Sequence, residues 1–78
     1  MIVRFYGKLA DAIGREAKVD AVGGTSVGQI RRCLLANHPH AAEALSRSRA
    51  CLGDMFVEDV QLVSDEDQVD FLPPVSGG

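Results

Sequence analysis

The residues with the most chemistry to offer stand together at the end of the chain, Leu72-Pro73-Pro74-Val75-Ser76-Gly77-Gly78. Two consecutive prolines have no amide hydrogen to give a sheet ladder, so a strand reaching Leu72 must stop there. The same pair favours an extended polyproline conformation, which would carry the following residues away from the body. Residues 73–78 span on the order of 20 Å at full extension. Gly77 and Gly78 add no side chains. Such an end fits a channel too narrow for any Cβ and leaves the final carboxylate unhindered, as an enzyme acting on that carboxylate requires. The simpler reading is a frayed polar terminus of the kind most domains have. The proline pair favours the presented end, because a frayed one needs no stiff lead-in.

Other candidate groups carry less. Cys33, His38, His40 and Cys51 match no zinc finger or ribbon spacing, so no metal site is expected. Cys33 falls on an apolar helical stripe and Cys51 in a strand, and both read as small buried hydrophobes. A sulfur relay at Cys51 is the alternative. Asp65 and Asp67 read as a solvated turn, since no calcium-loop pattern follows them. The chain contains no dinucleotide or nucleotide glycine loop and no nucleophile–histidine constellation.

The elements that must position the tail follow from periodicity. Residues 1–6 alternate, with Val3 and Phe5 on one face, which predicts a strand ended by Gly7. Leu9 and Ile13 anchor a short helix over 8–13 that Gly14 stops. Residues 18–22 read as a second strand forming a hairpin with the first. After the Gly23-Gly24 turn, Ser26 and Gln29 form the S-x-x-Q capping box of a helix over 27–37. Its stripe is Val27, Ile30, Cys33, Leu34 and Asn37, with Arg31 and Arg32 on the exposed side for solubility. Pro39 ends it. A helical turn over 40–45 faces Ala41, Ala44 and Leu45 inward. Strands follow at 50–52, 55–57, 60–62 and 68–72, separated by the Gly53-Asp54 turn and the polar turn 64–67. One long helix beside such strands can bury its stripe only on one face of a mixed sheet.

With 78 residues, 46% hydrophobic and 24% charged, the chain is long enough for one domain with a modest core. No deep pocket with its own catalytic apparatus is expected, so the chain reads as a module working with a larger partner. No apolar run reaches ~20 residues and no signal-peptide pattern opens the chain. Two unpaired cysteines suit a reducing compartment, so a cytoplasmic location is expected. Residues 1–49 hold eight bases and four acids, whereas residues 50–78 hold seven acids and no base. The acidic half would repel nucleic acid and attract a basic protein surface, unless its acids are simply solvated.

The ending Val69-Asp70-Phe71-Leu72-Pro73-Pro74-Val75-Ser76-Gly77-Gly78 resembles that of the small subunit of molybdopterin synthase, the MoaD-type sulfur carriers. Ile2 to Leu9, Ile13-Gly14, Ser26-Val27 and Asn37-His38-Pro39 also match that family. The resemblance implies a ubiquitin-like β-grasp fold of class α+β. It would have a mixed sheet of four to five strands, one main helix on one face, a domain over 1–72 and a tail over 73–78. It further implies that the Gly78 carboxylate, presented by Gly77, is adenylated and converted to a thiocarboxylate. That sulfur would go to a cyclic pyranopterin precursor in the large subunit. Adenylation gives a poor acyl donor a good leaving group, and the thiocarboxylate sulfur is a tethered nucleophile.

The implied partners are the large subunit, a ubiquitin-activating-like adenylyltransferase that uses ATP and magnesium, and a sulfur donor protein. A dimer of heterodimers is expected, and no cofactor of the chain's own. On this view the chain is not an enzyme alone. By the same resemblance Phe71, Leu72 and Pro73 pack on the large subunit, with Pro74, Val75 and Ser76 following them into it, and Phe56 is an exposed contact near that surface. A core position for Phe56 competes with this. Two positions depart from the family: Gly53-Asp54 replaces an Asn-Gly turn, and Glu66 replaces a glycine, which would strain it if that turn needs positive φ. The alternatives are a carrier for thiamine or cysteine synthesis, a ubiquitin-like protein modifier, and a β-grasp binding module with an inert tail.

Overall fold

A computed structural model describes residues 1–21 and 23–74 of the chain. Strand β1 (Ile2–Phe5) buries Val3 and Phe5 on one side, following its alternating pattern. Helix α1 (Gly7–Ile13) buries Leu9 and is closed by Gly14, whose φ is 113°. Strand β2 (Glu16–Lys18) pairs antiparallel with β1. It lies earlier than the 18–22 expected, and Val22 is outside the described residues. Hydrogen bonds from Phe5 N to Arg15 O (2.9 Å) and from Val19 N to Met1 O (3.0 Å) bracket the ladder. Beyond it, Ala21 N turns away to donate to the Asp65 carboxylate at 2.9 Å.

Strand β3 (Thr25–Ser26) leads into helix α2 (Val27–Asn37), whose bounds agree with the predicted 27–37. The capping box is formed: Gln29 N donates to Ser26 Oγ (3.2 Å), and Ser26 N donates to Gln29 Oε1 (2.8 Å). Such a cap contributes about 1 kcal/mol. A short 3-10 turn (Pro39–Ala41) and helix α3 (Ala42–Arg47) follow, burying Ala41 and Leu45 as expected. Strands β4 (Arg49–Leu52) and β5 (Met55–Val57) make a hairpin. Residues 59–60 turn rather than extend, so β6 comprises Leu62–Val63 and pairs with β3. Strand β7 (Gln68–Leu72) is the last strand among the described residues. Among the described residues no non-glycine residue has positive φ, so Glu66 is accommodated without strain.

The main sheet runs β2-β1-β7-β4-β5. The β1–β7 pair is parallel and the others antiparallel. A parallel pair needs a long crossover, and every element between β1 and β7 lies within it, with α2 as its longest helix. The helices cover one face, where Val3, Phe5, Leu9, Val27, Ile30, Leu34, Leu45, Val69 and Phe71 form the core. This is the ubiquitin-like β-grasp fold, with β7 at the centre of its sheet.

Arg31 is the main departure from the expected core. Its side chain is 12% exposed rather than solvated. Nη1 donates to Leu45 O, Ser48 O (2.9 Å) and Ser48 Oγ (2.7 Å), and Nη2 donates to Asp59 Oδ1 at 2.9 Å. The guanidinium carbon lies 5.1 Å from the Phe71 ring centroid. One side chain thus ties α2 to the α3–β4 junction, to the turn at residues 59–60 and to the last strand. At 100° per residue Arg31 falls about 40° from Val27 on the helical wheel, inside the buried arc. Cys33 falls outside that arc and is exposed, as is Asn37, so neither belongs to the stripe.

Candidate functional site

The site is built around the end of β7. Val69 and Phe71 point into the core and are fully buried, so the strand delivering the tail is anchored along its inner face. Phe71 was expected at a partner surface, and its position corrects that. Its ring stacks on Phe5, with centroids 6.2 Å apart and planes 17° from parallel. Parity in the strand explains this: Phe71 faces Phe5 and Ala50 across the ladders, both core residues. Leu72 and Pro73 are half-buried and Pro74 is exposed. Lys8, His40, Ala44 and Arg47 line a groove together with Pro73 and Pro74. The lead-in therefore approaches α1 at Gly7 and forms one wall of a groove whose other walls are α1, the 3-10 turn and α3. Val75, Ser76, Gly77 and Gly78 lie outside the described residues.

The sheet face turned away from the helices carries the second part. Register places Cys51 between Asp70 and Phe56, and Arg49 opposite Leu72. Phe56 is 53% exposed on the edge strand β5, so it is not a core residue. The Arg49 guanidinium sits 4.1 Å from its ring centroid. Leu72, Arg49 and Phe56 thus form one continuous strip on the outer face, beginning where the tail departs. Cys51 sits in the same face, half-buried. Partial burial and then the Asp70 carboxylate push its thiol up, against the opposing pull of Arg49. A thiol held protonated is a poor sulfur acceptor at neutral pH.

The remaining candidates separate in space. Among the described residues no three His, Cys, Asp or Glu side chains gather in a way that could hold a metal. One His40 ring nitrogen, Nε2, lies 2.9 Å from Ala12 O, tying the 3-10 turn to α1. Asp65 accepts from Ala21 N and lies 3.5 Å from the Met1 ammonium. These contacts, the backbone hydrogen bond first, hold its carboxyl below the ordinary range. Asp67 accepts from Ser64 N at 2.8 Å. Both acids brace turns. Among the described residues no helix is long and apolar enough to cross a membrane.

The ThiS family model matches residues 3–78. The chain belongs to the ThiS family. It is a ubiquitin-fold sulfur carrier, and the match includes the terminal glycines as well as the β-grasp body. Solved structures share the fold of this ThiS-family chain at low sequence identity. SAMP1 from Haloferax volcanii superposes with a TM-score of 0.82 at 22% identity, covering 99% of this chain and 97% of that one. A second structure of small archaeal modifier protein 1 from the same organism gives 0.82 at 19%, with 95% of each chain covered. The complex of subunits 1 and 2 of molybdopterin-converting factor from Helicobacter pylori gives 0.69 at 24%, covering 99% and 96%. No curated protein matches the chain in sequence.

Proposed function

We propose that this carrier is the sulfur-donating small subunit of a molybdopterin synthase. The observation that carries the reading is the anchored central strand: β7 is fixed in the core through Val69 and Phe71 and runs directly into Pro73-Pro74. The sequence then ends in Gly77-Gly78. A body of residues 1–72 would serve as the handle, and residues 73–78 as the working arm. The Gly78 carboxylate attacks the α-phosphorus of magnesium-bound ATP in an adenylyltransferase, and pyrophosphate leaves. Sulfide-level sulfur from a donor protein then displaces AMP, giving the thiocarboxylate. Enclosure of the arm in the large subunit excludes water while that sulfur is transferred to a pyranopterin precursor. The strip Leu72–Arg49–Phe56 supplies an apolar anchor with a charged cap beside the arm, the composition of interface centres. A fold neighbour that is itself a complex of subunits 1 and 2 of molybdopterin-converting factor supports this choice.

The test is incubation with an adenylyltransferase of the ubiquitin-activating type, ATP, magnesium and a sulfur source. Exchange of oxygen for sulfur raises the mass by about 16 Da, located at Gly78. The loaded protein should then convert a pyranopterin precursor when a large subunit is added. The likeness to small archaeal modifier protein 1 favours a second reading, in which the Gly78 acyl group is passed to lysines of other proteins. Isopeptide adducts without pterin conversion would select it.

A further inference from the structure

Gly7 occupies the start of α1 with φ of +58°, a conformation that glycine adopts freely. A Cβ built there would lie 2.9 Å from Pro73 Cγ and 3.7 Å from Pro73 Cδ. The parallel register explains the approach. Phe5 is opposite Phe71, and two residues further along each chain Gly7 meets Pro73 just beyond the ladder. Pro73 is half-buried there, while Pro74 next to it is exposed. A proline ring fixes its own φ near −65°. Its seat against Gly7 therefore sets the direction in which the chain leaves the sheet.

We propose that Gly7 is a positioning residue for the acyl arm. Its bare Cα forms the socket for the Pro73 ring, and that socket aims the arm before any partner binds. The proposal rests on the carrier reading above. Preorganisation of this kind lowers the ordering cost of docking, so its loss appears in KM more than in kcat.

The experiment measures KM and kcat for the carrier in ATP–pyrophosphate exchange by the adenylyltransferase. The proteins are wild type, Gly7→Ala, Pro73→Ala and the double variant, with thermal unfolding recorded for each. Gly7→Ala is expected to raise KM roughly tenfold at nearly unchanged kcat, by forcing the ring from its seat. In the Pro73→Ala background the ring is absent, so adding Gly7→Ala should raise KM no further. An equal rise in both backgrounds would assign the effect to backbone strain at residue 7 and overturn the proposal, as would an unchanged KM for folded Gly7→Ala. Should Gly7→Ala fail to fold, Gly7→Asn carries the same Cβ on a residue that tolerates positive φ, and the same comparison applies. A wild-type protein that supports no exchange would overturn the carrier reading and this proposal together, a result distinct from normal wild-type exchange with no coupling between positions 7 and 73.

Discussion

The guanidinium of Arg49 caps the exposed ring of Phe56, 4.1 Å from its centroid, on the sheet face turned away from the helices. The ring is 53% exposed, so its loss hardly disturbs the core. Phe56→Ala should lower stability by less than about 1 kcal/mol, the value of an exposed cation–π contact. If the strip is the partner surface, the same change should weaken large-subunit binding at least tenfold, as a central aromatic anchor does. Isothermal titration against the large subunit, with a melting curve beside it, separates the two. Unchanged affinity would remove Phe56 from the interface.

Phe71→Ala is expected to behave oppositely. The ring is fully buried against Phe5 and under Arg31, so truncation should cost about 3–5 kcal/mol, a large fraction of the stability of a small domain. Leu72→Ala, one residue on, should cost much less because Leu72 is half-buried. Urea unfolding of both variants checks the ordering.

Arg31→Ala leaves the carbonyls of Leu45 and Ser48 without their charged donor. A loss of about 1–3 kcal/mol is expected from these partly buried acceptors. Arg31→Lys should recover only part of it, since a single ammonium cannot reproduce the fork that reaches both Ser48 and Asp59. Denaturant midpoints of the two variants decide this; full recovery by lysine would show that charge alone suffices.

Asp65 sets an acid limb. Its folded carboxyl is held below the unfolded value of about 3.9, so its contribution to stability is present above that pH and is lost as pH falls through the folded value. Asp65→Asn should flatten the pH dependence of the melting temperature in this acidic window and leave its slope near pH 7 unchanged. An identical acid limb in the variant would place the sensitivity elsewhere.

Cys33 is exposed and Cys51 half-buried with its thiol pushed up. Iodoacetamide at pH 8 should therefore modify Cys33 well before Cys51, with peptide mass mapping as the readout. Cys51→Ser should leave sulfur loading at Gly78 intact; loss of loading would restore Cys51 as a relay.

The sequence alone determined several local elements and the terminal motif, while it set β2 and β6 a few residues out of place. The S-x-x-Q box and Pro39 bounded α2, alternation marked β1 and β7, and Gly53-Asp54 marked the β4–β5 turn. Each of these depends on neighbours within a few residues, where backbone sterics and hydrogen bonding act directly. The terminal motif Pro73-Pro74-Val75-Ser76-Gly77-Gly78 was likewise legible without coordinates. Tertiary structure alone decided which residues meet. It buried Arg31 by bringing Leu45, Ser48 and Asp59 around it, over sequence separations of 14, 17 and 28. It withdrew Phe71 from the surface by pairing it with Phe5, exposed Phe56 by placing β5 at the sheet edge, and seated Pro73 on Gly7 through the parallel β1–β7 register. These outcomes depend on strand order and register, which local periodicity does not encode, because a residue's partner across a ladder is set by the fold as a whole.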